Sequence, residues 1–123
     1  MTTPIALIVE DDETLAHIFA QALQAAGFDT AVAQDGDAAW AQLEKVVPAM
    51  LVLDLHLPGL SGPAVLEKVR QDGRFADTRV IIASADAELA DMLRDQADLV
   101  LEKPVSFHQL RLLSSRFKPS DPV

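Results

Sequence analysis

Five short, mainly apolar runs divide this chain, and segments with helical spacing separate them. The runs are Ile5–Val9, 30–33, Met50–Leu53, 80–83 and 99–101. A short apolar run without polar interruption reads as a strand buried on both faces. Between and after the runs, apolar residues recur on one helix face. Leu15, Ile18, Phe19, Ala22, Leu23 and Ala26 define the first helix; Ala39, Trp40, Leu43 and Val47 the second. Val65, Leu66 and Val69 define the third, Leu89, Met92 and Leu93 the fourth, and Leu110, Leu113 and Phe117 the fifth. Strand and helix alternating five times predict an α/β fold: a doubly wound parallel sheet, helices on both faces, right-handed crossovers.

Local signals set the expected boundaries. Thr14 is expected to cap the first helix and Gly27 to end it. Pro48 is expected to stop the second, with Trp40 in the core. Pro63 suits a first helical position, so the third is expected over 63–70, broken by Asp72-Gly73. The fourth is expected over 87–94, and Ser106 is expected to cap the last. Residues 118–123, KPSDPV, read as a flexible tail or the start of a linker after one domain over 1–117.

The chain has 123 residues, half of them hydrophobic, enough for one domain with its own core. Its net charge of −9, from 19 acidic and 10 basic residues, argues against a nucleic-acid surface. It has no Cys, which excludes a disulfide framework and a thiolate metal site. No basic segment leads into a long apolar run at the start, and no run is long enough to cross a bilayer. A cytoplasmic protein without membrane insertion is the simplest expectation.

The polar residues that close the runs carry the chemistry. Glu10 and Asp11 follow the first run, Asp54 ends the third, Ser84 the fourth, and Lys103 follows the fifth. An Asp after MLVL is costly to bury unpaired, although alone it would suit a turn cap. Open parallel sheets bind ligands beyond the carboxyl ends of their strands, where the strand order reverses. If the order is 2-1-3-4-5, Glu10, Asp11 and Asp54 meet there, flanked by Ser84 and Lys103. Carboxylates that close raise one another's pKa unless a cation binds. An oxygen-only cluster suits Mg²⁺ completed by phosphate oxygens. A hydroxyl and an ammonium beside it suit a phosphoryl group, and a carboxylate can itself accept one. Together these residues suggest Mg²⁺-assisted phosphoryl transfer onto Asp54.

LIVEDDE, PAMLVLDLHLPGLSG, VIIASA and LEKP, in this order, resemble the receiver (REC) domain of two-component response regulators, CheY-like in fold. The likeness runs from about Ile5 to Phe117. It implies a five-stranded sheet of order 2-1-3-4-5. It implies that Asp54 accepts a phosphoryl group from a sensor histidine kinase or a histidine phosphotransfer protein. Asp11 would hold Mg²⁺ directly and Glu10 through water, together with Asp54 and the backbone carbonyl of His56. Ser84 would hydrogen-bond the phosphoryl group, Lys103 would pair with it, and Pro104 would be cis. The side chains of His56 and Asp86 would tune phosphoryl lifetime rather than bind metal. His17 and His108 are expected on outer helix faces.

Three departures from that family fall together. Val100 stands where the fifth strand usually carries Tyr or Phe, Gln96-Ala97 replaces Gly-Ala, and the span from Ser84 to Gln96 is about one helical turn short. A shortened or irregular fourth helix is expected, and with it a signal that does not use an aromatic switch. Two other functions stay open on sequence alone. One is a docking module that works without phosphorylation. The other is a small Mg²⁺-dependent phosphohydrolase, weakened because His56 stands where its second acid would be.

Overall fold

A computed structural model describes residues 3–119. Five strands, β1 (Ile5–Val9), β2 (Asp29–Ala33), β3 (Met50–Leu53), β4 (Arg79–Ser84) and β5 (Leu99–Glu102), form one sheet of order β2-β1-β3-β4-β5. Every pairing is parallel, as short βαβ connections require. The helices are α1 (Glu13–Ala25), α2 (Gly36–Leu43), α3 (Gly62–Gln71), α4 (Ala87–Met92) and α5 (Phe107–Phe117). The predicted fold class and strand order are those observed.

Strand side chains alternate between two cores. Leu7, Val9, Leu51, Leu53, Val80 and Ile82 face Leu43, Val65, Leu66, Val69 and Phe75, so α2 and α3 cover that side. Ala6, Ile8, Met50, Val52, Ile81 and Ala83 face Phe19, Leu23 and Leu110 of α1 and α5. This is why β1, β3 and β4 read as unbroken apolar runs: both of their faces are covered. Truncating Leu51 or Leu53 to Ala would cost about 2–5 kcal/mol.

Several boundaries differ from expectation. Asp12, not Thr14, caps α1, its carboxylate accepting the Leu15 N–H at 3.0 Å. Gly27 does follow the helix, at φ +100°. The second helix ends at Leu43, well before Pro48, and Val47 is exposed. Trp40 is half-buried against the core, its ring edge-on to Phe75. Ser61 caps α3, with Pro63 in the first turn. The fourth helix is shorter than 87–94: it stops at Met92, and a 3₁₀ turn over Arg94–Gln96 follows. Met92 points outward, 74 % exposed, because only Ala90 of α4 is buried. Ser106 caps α5 as expected. From residue 120 onward, the expected tail lies outside the described residues.

Candidate functional site

The register brings the chemistry to one end of the sheet. Val9 pairs with Leu53, so the residues that follow, Glu10 and Asp54, leave their strands side by side. The Asp54 N–H donates to the Val9 carbonyl at 3.0 Å, and the Glu10 N–H to Ala33 at 3.0 Å. Ser84 pairs with Glu102, and the Lys103 N–H donates to the Ser84 carbonyl at 2.9 Å. Glu10, Asp54, Ser84 and Lys103 are thus fixed by backbone bonds that extend the sheet ladder. Glycine permits the close approach beneath them: a Cβ on Gly62 would lie 2.4 Å from the Asp54 carbonyl oxygen and from Leu55 Cα.

Glu10 (1 % exposed), Asp54 (7 %) and Ser84 (0 %) are buried, whereas Asp11 is exposed. One carboxylate oxygen from each of Glu10, Asp11 and Asp54 lies within 4.8 Å of the others. The Lys103 ammonium donates to Glu10 Oε1 at 2.5 Å and lies 3.5 Å from Asp54 Oδ2. The other Glu10 oxygen accepts the Asp12 N–H at 3.2 Å. Asp54 Oδ1 takes the His56 N–H at a long 3.4 Å.

Burial pushes the Glu10 carboxyl up to about 7, against the Lys103 ammonium and the Asp12 amide, which hold it down; the Asp54 charge adds to the rise. Burial alone would lower the Lys103 pKa. The hydrogen bond that it donates to Glu10 and the charges of Glu10 and Asp54 outweigh it, and the ammonium is held above its ordinary value. The rise comes mainly from burial, and three carboxylates gathered this closely are compatible with a cation that offsets their charge. The donor set is oxygen only, with no His or Cys among its grouped members, and this fits a hard divalent cation. Both Glu10 oxygens already have donors. Asp11 has no hydrogen-bond partner among the described residues.

Ser84 Oγ accepts the Asp86 N–H at 3.0 Å. Asp86 in turn caps α4, its Oδ1 accepting the Leu89 N–H at 3.0 Å, while Oδ2 lies 2.9 Å from His56 Nε2. The Leu89 amide and then His56 hold the Asp86 carboxyl below the usual carboxylate range. The Lys103-Pro104 peptide is cis. His17 and His108 are exposed on α1 and α5. An apolar cleft lined by Ile5, Leu7, Leu43, Val46 and Pro48 lies at the other end of the strands, away from this chemistry.

Glu10, Asp11, Asp54 and Lys103 converge, and Ser84 ends the neighbouring strand with its carbonyl bonded to the Lys103 N–H. Sequence reasoning missed Asp98, whose Oδ2 accepts the Val80 N–H at 2.7 Å and whose carboxylate also meets Arg70 and Arg79. An Asp just before a predicted strand was its only signal.

An open parallel sheet with acids, a hydroxyl and an ammonium at its switch point defines a class of doubly wound domains. The response regulator receiver domain model matches residues 6–114, and the chain belongs to that family. It is 34 % identical over 105 residues to the transcriptional regulatory protein TrcR of Mycobacterium tuberculosis, covering 85 % of this chain and 41 % of that one. It is 36 % identical over 106 residues to the sensory transduction protein RegX3 of Mycobacterium bovis, covering 85 % and 46 %. The chain therefore spans less than half the length of these two relatives. Among solved structures, the Francisella response regulator 1452 receiver domain superposes with TM-score 0.80 at 29 % identity, covering 93 % of this chain and 95 % of that one. The chemotaxis response regulator CheY4 of Vibrio cholerae gives TM-score 0.85 at 23 % identity, covering 94 % and 99 %, a likeness of fold. No described helix is long and apolar enough to cross a membrane.

Proposed function

We propose that this receiver domain accepts a phosphoryl group on Asp54 from a histidine kinase or phosphotransfer protein, in a Mg²⁺-dependent reaction. The observation that carries the reading is the convergence of Asp54 with Glu10 and Asp11 on one side and Lys103 on the other. An Asp54 oxygen attacks phosphorus of the donor phosphohistidine. The new P–O bond forms as the P–N bond breaks, and with the donor's other ring nitrogen protonated, neutral imidazole leaves with the bonding pair. Lys103 sits where its charge offsets that of the phosphoryl oxygens, and the Ser84 O–H is available to donate to one of them. Glu10, Asp11, Asp54 and the His56 carbonyl would hold Mg²⁺, which when bound neutralises charge on the transferred group.

The docking and phosphohydrolase alternatives are weaker. A module that ignored phosphorylation would have no need of three carboxylates gathered beside the Lys103 ammonium at the strand ends. The test is transfer of a labelled phosphoryl group from a phosphohistidine donor. Wild type should acquire a hydroxylamine-sensitive label and Asp54→Asn none. Equal labelling of both, or of neither, would overturn the assignment.

A further inference from the structure

Two backbone amides tie a surface hydrogen-bonded pair to the site. The His56 N–H points at Asp54 Oδ1, and the Asp86 N–H donates to Ser84 Oγ. The side chains of these same two residues meet each other, Nε2 to Oδ2 at 2.9 Å, across the mouth between the loops after β3 and β4. A carboxylate only accepts, so His56 Nε2 carries the proton of this bond. Asp86 is also the cap of α4.

The segment that this pair holds is anchored by few side chains: Ala90 is buried, and Leu89 and Leu93 lie part-buried against the core. The helix gives way to a 3₁₀ turn. Its far end is clamped by polar contacts: Arg70 Nε donates to the Gln96 carbonyl at 2.7 Å, and Asp98 is bonded to the β4 backbone in both directions. A segment with few apolar contacts, held at its ends by polar ones, sits at the low-stability end of a fold.

Resting on the receiver reading, we infer that the His56–Asp86 bridge is a latch that reports the state of Asp54 to α4. It does the work that Val100, which has no aromatic ring, cannot do. A phosphoryl group on Asp54 alters the acceptor facing the His56 amide and draws the Ser84 hydroxyl toward its own oxygens, so both tethers of the latch change at once. The added negative charge also competes with Asp86 for the His56 ring N–H. The latch opens, and the segment over 87–96 loosens. The two states differ in contacts made at the phosphorylated site, which is what a coupling requires.

The test is hydrogen exchange over 87–96, before and after treatment with acetyl phosphate and Mg²⁺, with intact mass read in parallel. Asp86→Ser keeps a cap residue and the main-chain N–H but is too short to reach His56; His56→Ala removes the other half. The expected result has three parts. Wild type loses protection over 87–96 on phosphorylation, by several-fold in exchange rate. Both variants show that faster exchange already without phosphoryl. Asp86→Ser still gains one phosphoryl group yet changes little further. Variants that match unmodified wild type, or that still respond fully, would overturn the latch. No mass gain in wild type would overturn the phosphoryl reading itself, and the latch's signalling role with it.

Discussion

Lys103 binds Glu10 more closely than Asp54: its ammonium lies 2.5 Å from Glu10 Oε1 and 3.5 Å from Asp54 Oδ2. The positive charge that would serve a phosphoryl group already compensates the buried acid at the back of the cluster. It therefore opposes a divalent cation that uses the same carboxylates.

Lys103→Met should bind Mg²⁺ several-fold more tightly, because a competing charge is gone, while losing most phosphoryl acceptance. Calorimetric titration with Mg²⁺ checks the first part without any turnover. Weaker Mg²⁺ binding in the variant would contradict the competition.

Asp11 is exposed and without a hydrogen-bond partner among the described residues, yet it faces two other carboxylates. Asp11→Asn should leave the Mg²⁺-free protein as stable as wild type or slightly more so, by up to about 1 kcal/mol, since a like charge is removed. It should weaken Mg²⁺ binding by about tenfold or more. Urea midpoints with and without Mg²⁺ read both effects. A destabilised Mg²⁺-free variant would show that Asp11 has a structural role instead.

Gly62 lets α3 begin directly under Asp54. Gly62→Ala places a Cβ 2.4 Å from the Asp54 carbonyl oxygen and from Leu55 Cα, both of them backbone that cannot yield cheaply. A loss of about 1–3 kcal/mol is expected, with impaired Mg²⁺ binding because the Asp54 turn must shift. Unchanged thermal unfolding would refute it.

Away from the site, Asp72 caps the 3₁₀ turn Gly73–Phe75 and pairs with Arg74 at 2.9 Å. The hydrogen bond from the Arg74 side chain holds its carboxyl below the ordinary value. A depressed folded-state pKa gives stability that is fully present above the unfolded value and is lost as pH falls through the folded one. Asp72→Asn should thus be less stable than wild type at neutral pH, and the gap should close below about pH 4. Urea midpoints at neutral and acid pH test this; a gap of equal size at both would exclude the charge as its cause.

The fold was legible because β1, β3 and β4 have both faces covered, and nothing but uninterrupted apolar sequence satisfies that. Asp54 and Ser84 were legible because packing gives no reason for a polar residue at the end of such runs. The pairing of Lys103 with Glu10 was not, since it joins residues 93 apart and depends on how far each side chain reaches. Asp12 and Thr14 are both capping types just ahead of α1, and only backbone geometry separates them. Met92 shares helical spacing with Leu89, but a helix that stops at Met92 has no further turn to bring it inward.

The most direct measurement is intact mass after incubation with acetyl phosphate, with and without Mg²⁺, for wild type and Asp54→Asn. One phosphoryl group on wild type, only with Mg²⁺, and none on the variant is the expected result. No adduct on wild type, or an equal adduct on the variant, would contradict phosphoryl acceptance at Asp54.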